Sequence, residues 1–274
     1  MTEKSHNDGP IGIFDSGIGG LTVAAAVAKR LPYERIIYFG DTAHLPYGEK
    51  SSKALKSYSE GITAFLTEQG CKAIVIACNS ASATAATAVR KQVGKAVPVI
   101  DVISPTAQYA ARSFAGAKIG VIATKATVNS RVYVRRIEKL SPEARVTMLA
   151  TPLLVAMIEE GFFNNNISKA VIASYLDKAS LRDIDALILG CTHFPLIKAE
   201  IEAHYSGKTR VIDSTDIVSE KIAEVLVKRS LATLKKSTNP KHWFFVSDLT
   251  PSFEESTRIF FGKKVKLERR NLWD

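Results

Sequence analysis

The sequence predicts an α/β fold: two similar three-layer α/β domains with mainly parallel sheets, related by a pseudo-twofold axis, with the active site between them. Three observations carry this expectation. Short apolar runs, each closed by glycine, an acid or a cysteine, alternate with alanine-rich stretches of helical length. Four of these strand-end motifs recur in the same order. The 274 residues are enough for two domains of roughly 100–200 residues each.

The recurrence is specific. Ile11 matches Ile119, Arg35 matches Arg145, Cys78 matches Cys191, and Val99-Ile100-Asp101 matches Val211-Ile212-Asp213. The spacing stays near 110 residues, about the common domain size. In open α/β sheets, sites lie at the carboxyl ends of the strands. Two such units facing each other bring Cys78 and Cys191 together from opposite sides.

In the first copy, residues 11–15 read as a strand closed by an acid, Asp15. The turn Ser16-Gly17-Ile18-Gly19-Gly20 follows, then an alanine-rich helix over 21–31, stopped near Pro32. Such a turn can receive an anion at the helix N-terminus. It lacks the dinucleotide fingerprint, because Thr22 stands where the third glycine belongs, and it lacks a phosphate loop. Asp15 is the unusual residue, since an acid leaving an apolar strand must find water, a partner or work. Residues 35–40 form the second strand. Residues 41–48 read as an irregular loop in which Pro46-Tyr47-Gly48 fixes a turn and exposes a phenol. A long amphipathic helix over 51–69 ends at Gly70, and the third strand, 72–77, carries Cys78-Asn79-Ser80 at its end. A helix over 81–93 and a strand over 97–101 complete the copy.

The second copy repeats the pattern. A strand over 118–122 ends in Ala123-Thr124, a helix covers about 127–140, and a strand over 145–149 ends in Ala150-Thr151-Pro152. A short helix holds Glu159 and Glu160, and another runs over 167–180. The strand at 185–190 delivers Cys191, Thr192 and His193, with a helix expected from near Phe194. A strand over 209–213 closes the series.

Composition excludes several classes. The chain is 46% apolar and 23% charged, an ordinary globular balance. No apolar run approaches the ~20 residues that cross a bilayer, and the first ten residues lack an apolar signal core. A soluble cytoplasmic protein is expected, with no membrane contact. Three cysteines argue against a disulfide framework. The net charge of +10 is spread along the chain, with small clusters at Lys235-Lys236 and over 263–270. No nucleic-acid motif accompanies it, so nucleic-acid binding is not expected. A general attraction for an anionic small substrate is.

The two copies differ where chemistry would sit. Asp15-Ser16 aligns with Ala123-Thr124, and Cys78-Asn79-Ser80 aligns with Cys191-Thr192-His193. Each half therefore supplies one thiol and a different helper: Asp15 in the first, His193 with Glu159 in the second. A zinc site of Cys78, Cys191 and His193 would lack the usual close-spaced cysteine pair. A Cys–His nucleophile for acyl transfer leaves the second cysteine unexplained. A regulatory disulfide needs Cβ atoms ~3.8 Å apart. Burial as inert core suits Cys71, but Cys78 and Cys191 each end a strand beside polar residues. The remaining reading is proton transfer at a carbon, with a thiolate on one face and a thiol on the other. Thiols ionise near ~8.5, within reach of either role. Asn79, Ser80 and Thr192 would hold carboxylates and the developing negative charge. This scheme calls for no cofactor and no metal.

The segments Asp15-Ser-Gly-Ile-Gly-Gly-Leu-Thr22, Gly40-Asp-Thr-Ala-His-Leu-Pro-Tyr-Gly48, Ala77-Cys-Asn-Ser-Ala81 and Gly190-Cys-Thr-His-Phe-Pro-Leu196 closely resemble the motifs of the glutamate racemases. The resemblance runs in order from Ile11 to about Asp213. It implies an isomerase that interconverts L- and D-glutamate without a cofactor and feeds D-glutamate to peptidoglycan synthesis, hence to cell-wall biogenesis and cell shape. It implies that Cys78 acts on D-glutamate and Cys191 on L-glutamate, assisted by Asp15, Glu159 and His193. By the same resemblance, Asp15, Ser16, Pro46, Tyr47, Gly48, Asn79, Ser80, Thr124, Thr192 and His193 line the substrate. The family's fold implies one domain of 1–102 with 213–274 and a second of 103–212. The expected partners are glutamate and a second copy of the chain in a homodimer.

One departure stands out. Ser80 occupies a position that is usually threonine, which predicts a slightly looser pocket. The nearest alternative is aspartate racemase or a related two-cysteine isomerase. That family usually has an acid where His193 stands. A more distant alternative is a binding protein that uses the basic surface on nucleic-acid machinery.

Overall fold

The computed structural model describes residues 6–234 and 240–273; Lys235 and Lys236 of the basic cluster lie outside them. The elements run β1 (Ile11–Asp15), α1 (Leu21–Arg30), β2 (Ile36–Gly40), α2 (Ser52–Glu68), β3 (Ala73–Ile76), α3 (Asn79–Thr84), α4 (Ala86–Val93), β4 (Val99–Asp101) and α5 (Ile103–Ser113). Then come β5 (Lys118–Ala123), α6 (Lys125–Ser130), α7 (Val132–Leu140), β6 (Arg145–Ala150), α8 (Pro152–Glu159), α9 (Asn166–Leu176), β7 (Ala186–Gly190), α10 (Lys198–Tyr205) and β8 (Arg210–Ile212). The chain ends with α11 (Ser214–Lys228), β9 (Trp243–Val246), α12 (Pro251–Phe261) and β10 (Leu267–Arg269).

All strand pairings are parallel. One sheet has the order β10-β9-β2-β1-β3-β4, and the other has β6-β5-β7-β8. The order of β2-β1-β3-β4 is thus repeated by β6-β5-β7-β8, as the sequence repeat requires. The strands β9 and β10 extend the first sheet beyond β2. β1, β2, β3 and β7 are buried at every residue, which is why they read as continuous apolar runs rather than alternating ones.

Alternation decides which core each side chain joins. Ile11 and Ile13 of β1, with Ala73 and Val75 of β3, face a large core shared with the second sheet. Phe14, Ile74 and Ile76 point the other way, toward Leu55, Ile62 and Leu66 of α2. Helices α1 and α11 pack together, and α5 packs on α7 and α11. The halves also meet where α3 packs on α6. Among the described residues, no helix is long and apolar enough to cross a membrane.

Several expected helices are broken. The helix expected over 81–93 starts at Asn79 and divides at Ala85. The one expected near 127–140 divides at Arg131, whose left-handed φ of 52° ends α6 and starts α7 on a new axis. The helix expected over 167–180 stops at Leu176. After His193, a 3-10 turn over Phe194–Ile197 precedes α10. The Leu45–Pro46 peptide is cis.

One buried ion pair ties distant segments together. Lys72 Nζ lies 2.6 Å from Glu34 Oε2, with both side chains almost wholly buried. Lys72 also donates to the Asn7 carbonyl at 2.9 Å, and Glu34 accepts from the Thr233 N–H at 2.8 Å. Breaking a buried pair strands a charge, so Glu34→Ala should lower stability in urea unfolding by about 3 kcal/mol. The double change Glu34→Leu with Lys72→Met should recover most of that loss. Equal losses in the single and double variants would contradict the pairing.

Candidate active site

Residues singled out by the sequence lie at the carboxyl ends of β1, β3, β5 and β7. Asp15 closes β1 and is fully buried. Its Oδ2 accepts a 2.7 Å hydrogen bond from the Gly20 N–H at the start of α1. Tyr38 braces the same turn, its hydroxyl donating to the Gly17 carbonyl at 2.7 Å. Cys78 follows β3 and caps α3 in extended conformation. Burial pushes its thiol up, and the Asp15 carboxylate and nearby Cys191 push in the same direction; the Ala81 N–H and the Ser16 hydroxyl oppose them only in part. Cys78 therefore rests as a thiol.

The second half is built differently. Cys191 follows β7, with its Sγ 3.7 Å from His193 Nδ1. His193 Nε2 lies 2.9 Å from Glu159 Oε1. Glu159 is the last residue of α8, and it reaches the ring where adjacent Glu160 caps the helix. Burial alone would lower the imidazole's value, but hydrogen bonds and charge from Cys191 and Glu159 outweigh it and raise it to about 10. His193 is thus an imidazolium at neutral pH, flanked by the Cys191 sulfur and the Glu159 carboxylate.

That ring is shaped by the first half of the chain. A Cβ at Gly19 would overlap the His193 ring, so only glycine allows the approach. Phe260 of α12 meets the ring edge-on, with centroids 5.3 Å apart at 79°. Thr22 donates to the Thr192 carbonyl at 3.1 Å. Neither Phe260 nor its role is legible in the sequence, because α12 has no counterpart in the repeat.

Further contacts join the halves. Ser80 Oγ lies 2.8 Å from Thr124 Oγ1. A Cβ at Gly48 would come within 2.8 Å of Thr124 Cβ. The Tyr133 hydroxyl donates to Asn79 Oδ1 at 2.9 Å. Pro46, Tyr47 and Gly48 thus stand against the second half, but the phenol is not exposed as the turn pattern suggested. Tyr47 is 1% exposed and donates to Asp41 Oδ2 at 2.6 Å. Buried Asp41 also takes hydrogen bonds from Ser247 Oγ at 2.8 Å and Trp273 Nε1 at 3.3 Å, and lies 2.9 Å from His44 Nδ1. A buried carboxylate gathers donors, and here it curls the loop inward.

Among the described residues, Asp15 Oδ1 and Asn79 Nδ2 are buried side-chain atoms without a hydrogen-bond partner. One is an acceptor and the other a donor, beside Cys78. Such atoms are costly unless a ligand satisfies them. A molecule with an ammonium and a carboxylate fits that pair. The three cysteines are free; Cys71 lies in the core behind the sheet, where burial raises its thiol to about 12. Among the described residues, no group of three or more His, Cys, Asp or Glu side chains is placed to hold a metal.

Comparison with known proteins places this geometry. The pattern of the Asp/Glu/hydantoin racemases matches residues 21–222. A glutamate racemase of Neisseria meningitidis serogroup A is 42% identical over 257 residues, 94% of each chain. The structure of glutamate racemase from Francisella tularensis in complex with D-glutamate superposes with a TM-score of 0.91 at 39% identity, covering 97% of this chain and 98% of that one. Glutamate racemase from Thermus thermophilus, in complex with β-chloro-D-alanine, gives 0.87 at 36% identity, covering 97% and 98%.

The raised value of His193 has a definite sign. Its interactions stabilise the fold fully below the ordinary imidazole value of 6.5 and are lost as pH rises through about 10. Followed by NMR, the ring Cε1 proton should titrate far above 6.5, and Glu159→Gln should lower the midpoint. A wild-type midpoint near 6.5 would refute the pairing with Cys191 and Glu159.

Proposed function

The chain belongs to the Asp/Glu/hydantoin racemase family, and from that premise we propose that it interconverts L- and D-glutamate by proton transfer between two cysteines. The observation that carries this reading is the pair itself. Cys78 and Cys191 end corresponding strands of the two halves, one beside a carboxylate and the other beside an imidazolium. Glutamate as substrate is supported by near full-length similarity to glutamate racemases, one of them bound to D-glutamate.

In this scheme the α-carbon sits between the thiols. From L-glutamate, the Cys191 sulfur takes the α-proton: the C–H bond breaks, its electron pair stays on carbon and spreads into the α-carboxylate. The Cys78 S–H then delivers its proton to the opposite face. The result is D-glutamate, with Cys78 as thiolate and Cys191 as thiol; the reverse reaction runs the same steps backward. His193, held protonated by Glu159, places a positive charge 3.7 Å from the Cys191 sulfur that takes the proton. Asp15 disfavours the thiolate of Cys78, which keeps that residue a proton donor at rest.

The floor of the site holds the substrate. Asn79 Nδ2 and the N-terminus of α3 offer donors to a carboxylate, and Asp15 Oδ1 offers an acceptor to the ammonium. Ser16, Pro46, Tyr47, Gly48, Ser80, Thr124 and Thr192 complete the lining in this reading. The surplus positive charge adds a general attraction for a net-anionic substrate. The product supplies peptidoglycan synthesis, and three free cysteines suit the reducing cytoplasm.

The test is racemisation in heavy water without added cofactor. Early D-glutamate should carry α-deuterium while unreacted L-glutamate keeps its protium. Deuterium in the recovered substrate would indicate a single base. Cys78→Ala and Cys191→Ala should each lower turnover at least about a hundredfold; full turnover by either would sink the scheme. A higher kcat/KM for aspartate than for glutamate would instead favour an aspartate racemase.

A further inference from the structure

We propose that Tyr133 is a positioning residue for the substrate: its hydroxyl fixes the orientation of the Asn79 amide, so that Nδ2 is the group presented for binding. The proposal rests on the racemase reading above and goes beyond it to a residue on the far side of the interface. Tyr133 lies on α7, in the second half, and its side chain is wholly buried. Asn79 opens α3, in the first half, next to Cys78, and is 3% exposed. The 2.9 Å bond between them crosses the interface.

An asparagine amide can sit in either of two orientations that differ by exchange of oxygen and nitrogen. The phenol decides between them. Burial and the nearby Asp101 carboxylate hold its proton firmly, and a buried O–H needs an acceptor. Asn79 Oδ1 is the acceptor this hydroxyl finds. Nδ2 is then left as a buried donor without a protein partner, beside Cys78. In the reversed orientation Oδ1 would meet the substrate carboxylate, and the two would repel. Because the bond spans both halves, the donor is set only when the halves are together.

The experiment is a double-mutant cycle on glutamate racemisation, with KM and kcat measured in both directions. Tyr133→Phe keeps the ring and its packing but frees the amide to turn. It should raise KM about three- to tenfold for both enantiomers, the scale of one lost buried hydrogen bond, while kcat changes by less than twofold. In an Asn79→Ala background the same change should move KM by less than twofold, because no amide is left to orient. Thermal unfolding of each variant reports the packing contribution separately. A Tyr133→Phe enzyme with KM within twofold of the parent would overturn the proposal. So would an equal KM increase in both backgrounds, which marks a structural role. A parent protein that does not racemise glutamate would overturn the function and this proposal together, whereas an active parent with an unchanged Tyr133→Phe variant overturns this one alone.

Discussion

A protonated imidazole buried in a protein interior must be paired, and the geometry around His193 follows from that requirement. Its two nitrogens reach Cys191 and Glu159, which fixes the end of β7 relative to the end of α8. Its ring lies against Gly19 and makes a T-shaped contact with Phe260, which fixes both relative to the first sheet. The charged ring beside Cys191 therefore also sets how the two halves meet. The groups that act on Cys78 in the first half include no cation. Asp15 is held by a backbone N–H and faces a thiol, so the two cysteines differ although their strands repeat.

The loop over residues 41–48 is governed by the same rule with the opposite sign. Asp41 is buried and negative, and donors from the loop itself and from the chain's last segment converge on it. Trp273 packs so closely on α2 that a Cβ at Gly61 would meet its ring at 2.7 Å. His44 and Tyr58 stack beside it, with ring centroids 4.0 Å apart. Aromatic packing of this kind adds to simple burial. Gly48 reaches Thr124 because this cluster carries the loop toward the interface, not because the turn itself extends there.

Much of this was legible in the sequence, and the reason is burial. β1, β3 and β7 are enclosed on both faces, so they stand out as apolar runs, and the residue that ends each run is conspicuous. Asp15, Cys78 and Cys191 were visible for that reason, and His193 was visible by contrast with Ser80. Features set by tertiary packing were not visible. Arg131 interrupts a helical pattern by adopting a left-handed conformation that its residue type does not announce. Tyr47 follows a proline in a turn-like run, yet the carboxylate of Asp41 draws it inside. The strand β9 shows the alternating burial of a sheet margin, a weaker signal than a continuous run, and neither β9 nor α12 repeats an earlier motif. Phe260 therefore carries no sequence signal although its ring packs against the central imidazole.

The unlike helpers raise a question that thermodynamics limits. Enantiomers have equal free energies, so kcat/KM must be equal in the two directions at every pH, whatever the residues do. His193 and Asp15 cannot make the enzyme favour one product. In the proposed scheme they act on the free enzyme, where the imidazolium beside Cys191 and the carboxylate beside Cys78 select Cys78 as the resting thiol. That choice determines which enantiomer meets a protein ready to react and which first requires a proton to move between the cysteines. It therefore divides the common kcat/KM into different pairs of kcat and KM for the two enantiomers. In that scheme the asymmetry between the halves separates the roles of the two cysteines, and the repeated strands provide the symmetric frame on which it operates.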